Sequence, residues 1–297
     1  MSIVRFADAV QSAAMIRLHS IAAILLLLLG SVSAQAQTAE ALQADLQQRL
    51  VGKLLTMRTP YAGEKLHFEA DGKPVGNPQS GLRSVDGVLK IVNARIENST
   101  LVFKGVRMVL VYDGKSGRLG ISDPKWPVEI KIEAPGASAQ DIGVVFNKVF
   151  FSKEELDARN CSDGEMLAFK SWVEMSNVGG RRKSKKDSSP SPNPESYCFP
   201  TGGRVYAGGA GIKPPRATKM QDPEYDETSR RAEVHGTSTF AVAIDDSGKP
   251  ADALLISGGN ARLNYDSIIA LRKWRFDPAT RDGKPIPVVI RMEMNFN

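Results

Sequence analysis

LRKWRFDPA, residues 271–279, is the stretch that decides the fold of this 297-residue chain. Ile268, Leu271 and Trp274 recur at the spacing of one helix face, so the stretch begins inside a predicted helix. That helix covers 263–274, and its apolar side needs another layer of structure to pack against. Turn residues and short alternating segments surround it on both sides.

Three predicted strands accompany this helix. His235 to Ile244 and Ala253 to Ile256 precede it, separated by the turn Asp245-Asp246-Ser247-Gly248. Val288 to Phe296 follows it and alternates strictly between apolar and polar residues. One buried and one wet face are typical of an antiparallel sheet packed on a helix. The predicted fold class of this region is therefore α+β, with an antiparallel three-stranded sheet packed on helices.

The residues around the helix form a pattern of fixed spacing. Its members are Pro223-x-Tyr225, Arg230, Gly236, Ile244-Asp245-x-x-Gly248-Lys249, Leu263, Leu271-Arg272-x-Trp274-Arg275-Phe276-x-Pro278-Ala279, Gly283-Lys284-Pro285 and Phe296. The pattern resembles the C-terminal domain of TonB, the envelope protein that couples inner-membrane energy to outer-membrane receptors. Asp226, Ser229 and Asn264 depart from it, because the family usually has Pro, Ala and Asp there.

The resemblance implies a binding mode, because in this family an extended partner peptide pairs beside the last strand. The implied partner-binding residues are those of this edge strand: Val288, Val289, Ile290, Arg291, Met292, Glu293, Met294, Asn295 and Phe296. The implied partner is the N-terminal box of an outer-membrane receptor, or a strand of another envelope protein. Pairing of the strand within its own chain or in a homodimer is the alternative.

The N-terminus predicts export. Ile21 to Leu29 is an apolar run with a basic flank before it and the small residues Ala34 and Ala36 after it, as in secretory signals. The run is shorter than the ~20 residues that span a bilayer as a helix, so we expect a cleaved signal peptide over 1–36, with Met15 as an alternative start, and a periplasmic protein. If the run instead stays in the inner membrane, the protein faces the periplasm as an anchored energy transducer, and ExbB/ExbD-type motor proteins become partners.

Composition divides the rest of the chain. Residues 38–150 alternate short β-like runs with turns and predict a small β-rich domain with flanking helices, of unknown role. A helical segment over 151–178 follows, then a flexible basic and proline-containing linker over 179–213, then the TonB-like domain over 214–297. The proline-rich part of the linker, about 16 residues, spans only about 50 Å when extended. That reach is short for a transducer that crosses the periplasm.

The cysteines and the charge distribution agree with export. Cys161 and Cys198 are the only cysteines, and in an oxidising compartment a disulfide between them would stabilise the fold by about 3–4 kcal/mol. Two unrelated thiols are the alternative. The net charge is +6, but a single run at 181–186 carries much of it, which indicates a solvated linker rather than a nucleic-acid surface. No nucleic-acid partner is expected.

An enzyme is not expected. His67 and His235 lie far apart in strand-like contexts, and no metal-ligand spacing, phosphate loop or nucleophile motif accompanies them. No catalytic residue, metal or cofactor is therefore predicted. Three hypotheses remain: an exported binding module, a membrane-anchored transducer that couples an inner-membrane motor to outer-membrane receptor transport, and an unrecognised enzyme or ligand carrier in 38–150.

Overall fold

The computed structural model describes residues 39–135, 139–178, 196–209, 211–224, 227, 231, 235–258 and 260–296. The predicted signal peptide and the proline-rich run at 179–194 lie outside these residues. The chain divides into two compact units. Within the described residues, unit 1 comprises 39–109 and 121–158, and unit 2 comprises 110–120 and 159–296.

Unit 1 is built from a mixed sheet and helices. Its strands are β1 (Leu54–Thr56), β2 (Lys65–Phe68), β3 (Val88–Glu97), β4 (Thr100–Asp113) and β5 (Arg118–Glu133). Its helices are α1 (Ala39–Leu50), α2 (Arg83–Asp86), α3 (Ala139–Val149) and α4 (Lys153–Arg159). The strand order is β1-β3-β4-β5-β2, with β3 antiparallel to both neighbours and β2 parallel to β5. The far ends of β4 and β5 belong to unit 2.

The core of unit 1 forms where helices meet this sheet. The stripe of Leu42, Leu46 and Leu50 on α1 is buried, as its helical spacing predicts. Phe103 of β4 and Phe150 lie in the same cluster with their rings edge to face at 6.1 Å. Apolar burial of this kind is the main stabilising contribution to a unit of this size.

A buried ion pair ties the loops of unit 1 to β4. The guanidinium of Arg107 lies 3.6 Å from the Asp86 carboxylate and donates to the carbonyl oxygens of Asp86, Tyr61 and Gly63 at 2.6, 2.9 and 2.7 Å. Both charged side chains are almost fully buried. Loss of the guanidinium would therefore leave several buried acceptors without their donor.

Unit 2 contains the remaining elements. Its helices are α5 (Asp163–Val178) and α6 (Ala261–Leu271). Its strands are β6 (Tyr197–Cys198), β7 (Arg204–Ala207), β8 (Ile212–Lys213), β9 (Arg216–Lys219), β10 (Gly236–Ile244), β11 (Pro250–Ser257), β12 (Arg275–Asp277), β13 (Thr280–Arg281), β14 (Lys284–Pro285) and β15 (Val288–Phe296). The main sheet of unit 2 has the order β11-β10-β15-β7-β6, with the tip of β4 beside β11 at Val111. Its antiparallel centre, β11-β10-β15, and the helices confirm the predicted α+β class.

α5 covers the face of this sheet that the alternation predicts to be wet. Phe169 and Trp172 of α5 share a core cluster with Ala241 and Ala243 of β10 and with Val289 of β15. The two alanines are small enough to let the aromatic rings approach the sheet. The face is dry at this end because a helix far upstream in the sequence packs on it.

A hairpin of β6 and β7, residues 196–207, joins the sheet beside β15. Gly202 and Gly203, with φ of 98° and 102°, make its turn, a backbone conformation that L-residues rarely adopt. The sequence predicts a flexible linker up to residue 213, whereas this part packs into unit 2. Tyr197 and Phe199 are buried in the same core cluster as α5, which orders the segment.

The deciding stretch, residues 271–279, packs against the turn after β10. Gly248 in that turn has a φ of 79°, and its carbonyl accepts a hydrogen bond from the Phe276 amide at 2.9 Å. A Cβ at Gly248 would overlap the carbonyl oxygen of Phe276. Trp274 donates its indole N–H to the Gln221 carbonyl at 2.8 Å. These contacts explain why the stretch and the turn need these residue types.

Candidate docking edge

β15 is fully paired on one side, and on the other side the described strands pair with it only at one end. β10 lies antiparallel to it from Phe296 back to Val288. On the other side, β7 runs parallel to β15 and pairs only with Val288 and Val289. No other described strand pairs with Ile290–Phe296 on that side. These seven of the nine β15 residues are called the open edge.

The side chains of the open edge differ between its two faces. One face carries Ile290, Met292, Met294 and Phe296, of which the first two are half-buried and the last two buried. The other face carries Arg291, Glu293 and Asn295, with Arg291 Nη2 and Glu293 Oε1 2.7 Å apart. A strand added here would meet apolar side chains on one face and polar ones on the other.

The structure divides the predicted partner-binding residues into two groups. The seven residues of the open edge have no described strand beside them on the far side. Val288 and Val289 differ from the prediction, because β7 pairs with both and they are 1% and 2% exposed. The reason is that part of the predicted linker supplies a strand. The sequence analysis assigns this segment to the linker and predicts no strand there, because β7 is only four residues long.

Unit 1, by contrast, covers its outer strands with its own chain. The Phe151 amide donates to the Thr56 carbonyl of β1 at 2.9 Å, and the Val75 amide donates to the His67 carbonyl of β2 at 2.8 Å. Covering an edge strand in this way prevents unwanted pairing with other chains. For Ile290–Phe296, no described strand pairs with β15 on the side opposite β10.

The predicted disulfide is present and involves the hairpin that carries β7. Cys161 and Cys198 are joined, with their Cα atoms 5.7 Å apart. Cys161 precedes α5 and Cys198 lies in β6, so the bond connects the start of the helix to the hairpin. It constrains the hairpin to lie where β7 meets β15.

An ion pair adds a second connection between α5 and the hairpin. Arg204 Nη1 of β7 lies 2.7 Å from Glu165 Oε1 of α5. The Ser162 amide donates to Glu165, and this hydrogen bond and the Arg204 guanidinium lower the pKa of Glu165 to about 2. The carboxylate is therefore ionised at any physiological pH.

The histidines singled out in the sequence lie in different units. His67 lies in unit 1, 3.5 Å from Glu133, and His235 lies exposed before β10 in unit 2. Within the described ranges, no three His, Cys, Asp or Glu side chains are placed to hold a metal ion. The features that the structure does assemble are a sheet edge and its supports.

This fold defines a class: a small α+β module with an antiparallel three-stranded centre. The family described as Gram-negative bacterial TonB protein C-terminal matches residues 221–297. Protein TonB of Vibrio cholerae serotype O1 is 27% identical over 85 residues, which cover 28% of this chain and 35% of that protein. The solution NMR structure of the Pseudomonas aeruginosa TonB CTD is 20% identical and covers 31% of this chain and 91% of that chain, with a TM-score of 0.26.

Residues 221–297 are therefore a TonB C-terminal domain, a protein-interaction module of the cell envelope. Domains of this type belong to a non-enzymatic family of energy transducers and binding proteins. The chain spans about a third of the length of the curated relative, at 35%. None of α1 to α6 is both long and apolar enough to cross a membrane, and the apolar run at 21–29 lies outside the described residues.

Proposed function

We propose that this protein is an exported, non-enzymatic binding protein that adds an extended segment of an envelope partner to the open edge, Ile290–Phe296. The observation that carries the proposal is the side of β15 with which, beyond Val289, no described strand pairs. Backbone N–H and C=O groups on such an edge can pair with an incoming strand. The TonB C-terminal family supports a protein-binding role for the domain.

The partner that fits best is the N-terminal segment of an outer-membrane receptor, or a similar segment of another envelope protein. Its residues should alternate, because cross-strand neighbours on one face are Ile290 and Met292 and on the other Arg291 and Glu293. Apolar side chains would cover the first pair. Polar or charged side chains would lie beside the second.

A test of strand addition uses peptides with blocked amides. Synthetic copies of N-terminal segments of outer-membrane receptors from the same cell are titrated into the full-length exported protein. Each peptide is also made with N-methyl groups on its odd or on its even residues, so that composition is matched. In a paired strand, the backbone N–H groups of every second residue point to the same neighbouring strand. The peptide methylated on the residues that face β15 should therefore lose at least about tenfold in affinity, and the other peptide should lose little. Equal binding by both sets would rule out strand addition.

A charge substitution tests the location. Arg291→Glu should change the affinity for peptides with a charged residue on that face several-fold, raising it for basic and lowering it for acidic peptides. Arg216→Glu is the matched control, because it makes the same charge change and breaks the exposed Arg216–Asp277 pair. It should leave affinity unchanged. An equal effect of both variants would place binding elsewhere.

A second copy of the chain is the competing occupant of the same edge. Sedimentation of the exported protein separates the two cases. A monomer that binds peptide supports the proposed function, whereas a dimer that peptide cannot dissociate would show that the edge serves assembly instead.

The exported location rests on the N-terminal segment. Intact mass of the protein from the periplasm and from membranes gives the mature N-terminus. A soluble species that starts near residue 35 or 37 supports a periplasmic binding protein. A membrane-bound species that retains Ile21 to Leu29 would favour an energy transducer with ExbB/ExbD-type motor partners.

A further inference from the structure

The side of β15 that a partner would use already holds a strand of the same chain. β7 is parallel to β15 and pairs Tyr206 with Val288 and Ala207 with Val289. The Tyr206 amide also donates to the Pro287 carbonyl at 2.9 Å. An incoming strand beside the open edge would lie in line with β7, end to end with it.

The chain does not continue along β15 after Ala207. The next strand, β8 (Ile212–Lys213), pairs instead with Thr280–Arg281 of β13. Gly208, the residue after β7, is exposed, and a Cβ there would have no heavy atom within 4 Å. β7 therefore ends at Ala207, and the positions beside Val288 and Val289 are occupied by β7.

The hairpin that carries β7 is built into the core of unit 2. Tyr197, Phe199 and Val205 are 3%, 1% and 5% exposed. Moving β7 away from β15 would bring these side chains into water, an unfavourable change. The covalent bond to Cys161 and the Arg204–Glu165 ion pair further hold the hairpin in place.

We propose that hairpin 196–207 is a fixed end stop on the docking edge, an inference that rests on the proposed function. It limits a partner to the seven positions Ile290–Phe296. A partner strand that pairs with these positions then ends or turns away where it meets Gly208. A longer strand gains no further pairing, because β7 occupies the next two positions.

The test is a length series on the unaltered, oxidised full-length protein. The peptides have capped termini and consist of alternating Val and Thr, with Lys at both ends for solubility. They carry three, five, seven, nine or eleven strand residues. Affinity should rise about two- to fivefold for each added pair of residues up to seven and then stay constant. Amide hydrogen exchange is measured with and without each peptide. Exchange should slow in Ile290–Phe296 and stay unchanged in Arg204–Ala207.

Three results are distinguishable. A plateau at seven residues with β7 still protected supports the end stop. Affinity that keeps rising to nine or eleven residues, with faster exchange in Arg204–Ala207, would mean that the partner displaces β7; this overturns the end stop and leaves strand addition standing. Absence of protection in Ile290–Phe296 with every peptide overturns both the end stop and the proposed function.

Discussion

Gly248→Ala should destabilise unit 2 far more than Gly283→Ala. Both glycines adopt left-handed backbone, with φ of 79° and 75°. An alanine in this conformation costs about 1–2 kcal/mol at either position. This shared cost makes Gly283→Ala a matched control for the backbone effect.

Only Gly248 adds a collision. A Cβ there would overlap the Phe276 carbonyl oxygen, whereas nothing lies within 4 Å of a Cβ at Gly283. The necessary backbone shift costs about 1–3 kcal/mol, and the hydrogen bond from the Phe276 amide to the Gly248 carbonyl, about 1 kcal/mol, weakens with it. We expect a loss of about 3–6 kcal/mol for Gly248→Ala and about 1–2 kcal/mol for Gly283→Ala.

The assay is urea unfolding of the oxidised full-length protein, with amide exchange in β10 and β15 to assign the transition to unit 2. The free energy of unfolding is compared between the two variants and the parent. Equal losses for the two variants would refute the reasoning, because the turn would then move away from Phe276 at no cost.

Three further predictions concern the other supports of the two units. Replacing Cys161 and Cys198 together by Ser should lower the free energy of unfolding of unit 2 by about 3–4 kcal/mol in urea titrations, and an unchanged midpoint would contradict it. The pKa of Glu165 is lowered to about 2 from 4.5, so its stabilising contribution is complete above pH 4.5 and is lost as the pH falls towards 2. The difference in the free energy of unfolding between the parent and Glu165→Gln should therefore shrink as the pH falls over that range. Arg107→Met should destabilise unit 1 by about 3–5 kcal/mol, and adding Asp86→Leu should recover part of this loss, because no unpaired charge then stays buried.

The centre of unit 2 was predictable because its local signals agree. Strict alternation over Val288–Phe296 and the turn at 245–248 each indicate the same sheet, and the structure has these elements. α6 ends at Leu271 rather than at the predicted Trp274. The Trp274 indole instead turns to the Gln221 carbonyl, a contact that helical periodicity cannot reveal.

The supports of the docking edge were not predictable in the same way. β6 and β7 have two and four residues, too few for any period to stand out. Ala241 and Ala243 do not indicate from sequence that a helix packs on them, because alanine occurs on both buried and solvent-exposed faces of a sheet. Only the two cysteines hinted that the region before β7 is fixed to α5. Tertiary packing between distant segments, not local preference, decides which part of β15 is open.

The helix α5, which covers one end of the second face of the sheet, has a consequence for how the domain can be transferred between genes. The stretch recognisable as TonB-like begins at residue 221, yet α5 and the hairpin that shield Ala241, Leu254 and Val289 lie before it. A gene fragment that began at residue 221 would encode a sheet with an exposed apolar patch on that face. Such a fragment would be prone to self-association. The TonB-like stretch that is recognisable in sequence is thus shorter than the segment that must be expressed together to keep this face of the sheet covered.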